Sequence, residues 1–156
     1  MINNFESYLT FENIYLVANW GVVPFWLMLI TIPNHNLTKF LTHSIIVPFL
    51  IAAAYIFVAY KIYLEGNIFE GFNLYFGLDD LYAVYSNETF LLVFWLHFLS
   101  ISLFVGSWIS RDSQKYMIPR IFVIFSLILT YFVGPVGLVF YWLIRIFFSK
   151  KISFND

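Results

Sequence analysis

Cysteine is absent from the chain, which excludes disulfides, thiolate catalysis and iron–sulfur ligation. Charge is scarce as well. Asp, Glu, Lys and Arg make up 11% of the 156 residues, against about 25% in an average soluble domain. Eight basic residues against nine acidic leave a formal net charge of −1, so no nucleic-acid or other polyanionic partner is expected. Histidine is limited to His35, His43 and His97, too few for the ligand-rich centres of membrane di-iron oxygenases. His97 also lies roughly 15–20 Å from His43 in depth if each sits where its apolar segment puts it, too far apart to share one ion. No metal site is therefore expected. Phosphate-binding loops and a Gly-x-Ser-x-Gly elbow are missing too. Residues 1–12 contain no Lys or Arg and no small-residue cleavage site, so no cleaved signal peptide is expected there.

What the chain does contain is apolar surface. Hydrophobic residues make up 62% and aromatic residues 23%, more than so short a chain can hide from water. A spanning helix needs roughly 20 mainly apolar residues, and four stretches qualify: about 13–32, 43–64, 89–110 and 120–145. Pro33 ends the first, because its ring cannot continue a helix. Lys61 stands where it can reach the headgroups from the second. The third runs uncharged to Ser110-Arg111-Asp112, and the fourth follows Pro119, a favourable first-turn residue. The expected fold is all-α, a single domain over 1–156 formed by an integral membrane bundle of four transmembrane helices. A short interfacial helix is expected between the second and third, because Leu78, Leu81, Tyr82 and Tyr85 repeat at helical spacing behind Asp79 and Asp80. Gly71 and Gly77, interleaved with Phe72 and Phe76, suggest a turn pressed against the membrane just before it.

Charge does not orient these four spans. Lys39, Arg111, Lys115 and Arg120 fall on one face and Lys61, Arg145, Lys150 and Lys151 on the other, and the positive-inside rule cannot choose between four and four. Gly134-Pro135-Val136-Gly137 offers a way out by splitting the fourth segment into two short pieces, which would carry Arg145, Lys150 and Lys151 back. An unbroken, kinked helix is the expectation, since each half is too short to span alone.

Polar side chains inside a span are costly and mark candidate sites. His97, Ser100, Phe104, Ser107, Trp108 and Arg111 share one helical face of the third segment, and that face is expected to look into the bundle. Serines and Gly106 there serve close helix approach, whereas an imidazole near mid-span needs a partner. Asn19 and Pro24, with Trp20 and Trp26, form a second polar, kinkable site in the first segment.

The runs Asn19-Trp20-Gly21-Val22-Val23-Pro24-Phe25-Trp26 and Pro33-Asn34-His35-Asn36-Leu37-Thr38 resemble the opening of the abscisic-acid-deficient-four-like family. Trp95-Leu96-His97-Phe98 through Leu103-Phe104-Val105-Gly106-Ser107-Trp108, followed by Arg111-Asp112, resemble that family's signature, and Phe132-Val133-Gly134-Pro135-Val136-Gly137-Leu138 resembles its Phe-Gly-Pro-x-Gly-Leu motif. The resemblance covers roughly residues 13–145. It departs at two positions, where Ser102 and Ser107 stand in place of the family's Asp and Arg. The resemblance implies small multi-pass membrane proteins, in a bacterial plasma membrane or an organelle membrane of bacterial origin, whose plant members take part in neoxanthin formation. The implied chemistry is a cofactor-independent epoxide-to-allene isomerisation of a carotenoid. His97 is the candidate proton carrier, with a reference pKa of about 6.5. Asn19, Trp20, Trp95, Trp108, Arg111 and Asp112 are candidate substrate-binding residues. Two readings stand: a protein that binds or isomerises a carotenoid or related isoprenoid lipid, and a non-catalytic accessory subunit of a larger membrane protein complex.

Overall fold

A computed structural model describes residues 10–44, 46–64 and 68–150. Among these residues every regular element is helical. In order they are α1 (Phe11–Gly21), α2 (Val23–Thr31), α3 (Asn36–Leu41), α4 (Ile46–Leu64), a 3-10 helix (Ile68–Tyr75), α5 (Leu78–Tyr85), α6 (Glu88–Lys115), α7 (Arg120–Val133) and α8 (Pro135–Ser149). Contacts group the chain into two compact units. One comprises Met1–Gly21 and Phe49–Ser100, the other Val22–Pro48 and Ile101–Asp156.

Three stretches are long and apolar enough to cross a membrane: Phe11–Thr31, Asn36–Leu64 and Glu88–Lys115. They answer to the first three expected spans. The first is interrupted at Val22, just before Pro24. Pro24 has no N–H to give, and a proline is tolerated where the first-turn donors are unbonded anyway. The connection after Pro33 holds α3, whose N-cap is His35 with Nδ1 accepting from the Leu37 N–H at 3.2 Å.

The fourth expected span is where sequence and structure part. Instead of one kinked helix there are two, α7 of 14 residues and α8 of 15, and they fold back on each other. Phe122 near the start of α7 and Phe148 near the end of α8 have ring centroids 6.4 Å apart, which only an antiparallel hairpin allows. The reversal occurs at Gly134, with φ 47° and ψ −93°, a conformation side chains forbid and glycine adopts. Pro135 then opens α8, where its missing N–H costs nothing. Gly137 lets the helices close up: a Cβ built there would overlap the backbone nitrogen of Thr130. At about 1.5 Å per residue each arm is some 21–22 Å long, short of the roughly 30 Å hydrocarbon core.

In the first unit, α5 forms over the residues whose spacing predicted it, with Asp79 and Asp80 in the first turn and Val84 buried, favourable against the helix dipole. Tyr85 packs edge-on against Phe94, centroids 5.1 Å apart. The segment before α5, expected as a turn, is instead the 3-10 helix, and it packs on α5. Lys61 lies over the Phe57 and Phe11 rings, 5.1 and 5.6 Å from their centroids.

The buried side of α6 is a stripe at helical spacing: Leu92, Leu96, Leu99, Leu103, Gly106, Ser110 and Ser113. The face expected to look inward is only partly inside. Ser107 is buried and Ser100 and Trp108 half-buried, but His97, Phe104 and Arg111 are exposed. His97 follows buried Leu96 by one residue, about 100° around the helix, and so points away from the packed side.

Candidate functional site

In the second unit the polar side chains converge near the C-terminal end of α6. Asp112 Oδ2 accepts from the Tyr141 hydroxyl at 2.6 Å and from Arg145 Nε at 2.8 Å. Arg145 Nη2 donates to the Tyr116 hydroxyl at 3.1 Å, and its guanidinium lies 4.7 Å from the centroid of the Tyr116 ring. Trp108 meets Tyr141 edge to face, centroids 5.4 Å apart at 88°. Helical periodicity builds the arrangement: Trp108 and Asp112 are i, i+4 on α6, Tyr116 follows at the next i+4 position just past its end, and Tyr141 and Arg145 are i, i+4 on α8. Arg145 is 1% exposed and Asp112 12%, so each charge depends on the other. Chemically the cluster is a clasp that holds the returning arm of the hairpin against α6.

Glycine and tryptophan complete this packing one level deeper. A Cβ on Gly106 would stand 2.7 Å from the Trp26 ring, so the glycine makes room for the indole. That ring also lies edge-on to Tyr131, centroids 5.4 Å apart. Gly106 thus serves the close approach expected of it.

The first unit offers a different feature, an aromatic groove of about 550 Å³ between α1 and α6. Phe11, Tyr15, Leu91, Leu92 and Trp95 line it, with Glu12 and Glu88. Tyr15 and Trp95 have centroids 6.4 Å apart, and Trp95 stacks on Phe98 at 5.4 Å. The Trp95 indole N–H is buried and has no hydrogen-bond partner among the described residues.

These placements redistribute the expected site residues. Trp95 lines the groove. Asp112 and Trp108 join the clasp, while Arg111 is exposed beside it. Trp20 is 67% exposed and Asn19 half-buried. His97 is exposed, its ring 6.3 Å from Tyr55. Trp95 and His97, two residues apart, point some 160° apart on α6 and do not line one slot. Tyr141, Arg145 and Tyr116 are site residues that sequence reasoning misses. Arg145 reads as the end of a span, but α8 runs four residues past it, and the Tyr141–Arg145 spacing on an apolar helix is the available signal.

The sequence profile of the ABA DEFICIENT 4-like family matches residues 13–141. The chain belongs to this family. No curated protein and no solved structure matches it. The two positions at which the resemblance places Asp and Arg are Ser102 and Ser107, 6% and 3% exposed. This member thus buries hydroxyls there, and among the described residues an Asp–Arg pair forms elsewhere, between half-buried Asp112 and buried Arg145.

Proposed function

We propose that this protein is a membrane protein that binds, and in its catalytic form isomerises, a carotenoid or related isoprenoid lipid. Family membership over residues 13–141 carries the reading. Helices long and apolar enough to cross a membrane agree with it. The groove of the first unit is the place we assign to the ligand: its Phe, Tyr and Trp rings suit a flat polyene, and the Trp95 N–H would donate to an oxygen on the ligand's end. Protein expressed in a carotenoid-producing host and purified in mild detergent should carry a visible chromophore in near-stoichiometric amount, and Trp95→Phe should lower that amount. Colourless wild-type protein from a pigmented membrane would defeat the reading.

A second reading, an accessory subunit of a larger membrane complex, draws on the strip formed by the 3-10 helix and α5. Phe69, Tyr75, Phe76, Leu78 and Tyr82 there are each more than 75% exposed. Colourless protein that co-purifies stoichiometrically with a second membrane protein would select it.

A further inference from the structure

The second unit holds a cavity of about 490 Å³ where α2, α6 and α7 come together, within the range of about 300–1,000 Å³ usual for small-molecule sites. Its composition is graded. The deep end is apolar, with Leu29 and Leu127 at 1% and 0% exposure, and the outer rim is polar, with Asn34, His35, Gln114 and Arg120 all exposed. Leu127 lies seven residues beyond Arg120 along α7, about 10 Å, so the gradient runs along the helices. Two buried serines line the cavity, and Ser113 donates its hydroxyl to the Ser110 carbonyl at 2.9 Å. The Ser110 side chain lines the cavity, is 1% exposed, and its hydroxyl has no hydrogen-bond partner among the described residues. A buried hydroxyl left unbonded is unfavourable, and a ligand oxygen at that depth would satisfy it.

Charge narrows the ligand further. The lining contains Arg120 and His35 and no carboxylate. Arg120 is held at the rim by donating from Nη2 to the carbonyls of Ile30, at 2.9 Å, and Thr31, which fixes a cation at the last turn of α2. Among its described residues this unit carries Lys39, Arg111, Lys115, Arg120, Arg145 and Lys150 against the one carboxylate of Asp112, itself bonded to Arg145.

We propose that this cavity is a binding site for one anionic membrane lipid. Its phosphate lies at the rim against Arg120, Gln114 and Asn34, its glycerol ester accepts from the Ser110 hydroxyl, and the start of an acyl chain covers Leu29 and Leu127. The site is independent of the isoprenoid groove and of any catalysis there.

Purified protein in detergent is titrated with dioleoyl phosphatidylglycerol, dioleoyl phosphatidylcholine and inorganic phosphate, with thermal unfolding as the readout. Phosphatidylglycerol should raise Tm at concentrations where the other two have little effect. Arg120→Gln should weaken the lipid about tenfold, the usual loss of a charge-assisted hydrogen bond. Because Arg120 also secures α2, the exposed rim substitution Gln114→Glu is the decisive variant: it should weaken phosphatidylglycerol while leaving the lipid-free Tm in place. Arg111→Gln, outside the cavity, should change neither. Equal responses to the two lipids, or a Gln114→Glu response equal to that of wild type, would overturn the proposal. A response reproduced by inorganic phosphate alone would also overturn it, assigning the site to a soluble anion.

Discussion

Arg145 and Asp112, far apart in sequence, meet at 2.8 Å and are joined by the hydroxyl of Tyr141 on the same carboxylate oxygen. Removing one member of a buried pair strands the other, at a cost of about 3–5 kcal/mol, whereas replacing both by apolar groups is often close to neutral. Asp112→Leu and Arg145→Met should therefore each lower Tm in detergent strongly, and the double variant should lose less than the sum of the two. Strict additivity in the double-mutant cycle would contradict the clasp.

Gly106→Ala should destabilise by about 1–3 kcal/mol, the usual cost of overpacking, because its new methyl meets the Trp26 ring. Trp26→Leu in the same chain should recover part of that loss. Thermal unfolding of the two single variants and the double variant measures the recovery.

His97→Phe should change stability by no more than about 0.5 kcal/mol, as exposed substitutions usually do, since the imidazole lies outside the packed stripe of α6. A loss as large as that of a buried-pair variant would show that the ring is held by a partner after all. Paired with pigment retention, the same variant separates a role in the ligand's chemistry from a role in packing.

Ser102→Asp and Ser107→Arg place charges at positions that are 6% and 3% exposed. Each alone should destabilise by about 2.5–3.5 kcal/mol. The positions are some 140° apart on α6, so mutual relief in the double variant would come through groups on neighbouring helices. Coupling is read from thermal unfolding, and its absence would make the two serines independent replacements.

The helices are legible in the sequence because charge-free runs long enough to span a bilayer leave few alternatives. The buried face of α6 is not, because that helix is apolar nearly all round and polarity cannot rank its faces. The residues that report the contact side are the small ones, Gly106, Ser110 and Ser113, rather than the conspicuous His97. The reversal at Gly134 shows as Gly-Pro-x-Gly, but the apolar stretch that contains it fits one span as well as two short arms. Backbone conformation decides between them, and sequence does not display φ. Arg145 misleads for a related reason: a charge after an apolar run reads as an exit from the membrane, while a carboxylate back on α6 makes it a buried partner.

Gly134→Ala should lower Tm in detergent, since φ 47° with ψ −93° suits no side chain. Cysteines introduced at Met117 and Lys150 report the fold-back directly: with the hairpin intact, a membrane-impermeant maleimide should label both from the same side of a sealed vesicle. Labelling from opposite sides would mean that the fourth segment crosses.

The hairpin also changes what the insertion machinery has to do. A single fourth span would carry Arg145 and Lys150 across the bilayer and leave the topogenic charges evenly split. Two arms that enter and leave by the same face would keep both residues on the side where synthesis delivers them. Of the seven Lys and Arg among the described residues, six would then belong to one face, and Lys61 alone, at the far end of α4, would have to be translocated. Under the positive-inside rule such a bias would set the direction of insertion, so one glycine with positive φ would decide which way round the protein is built into its membrane.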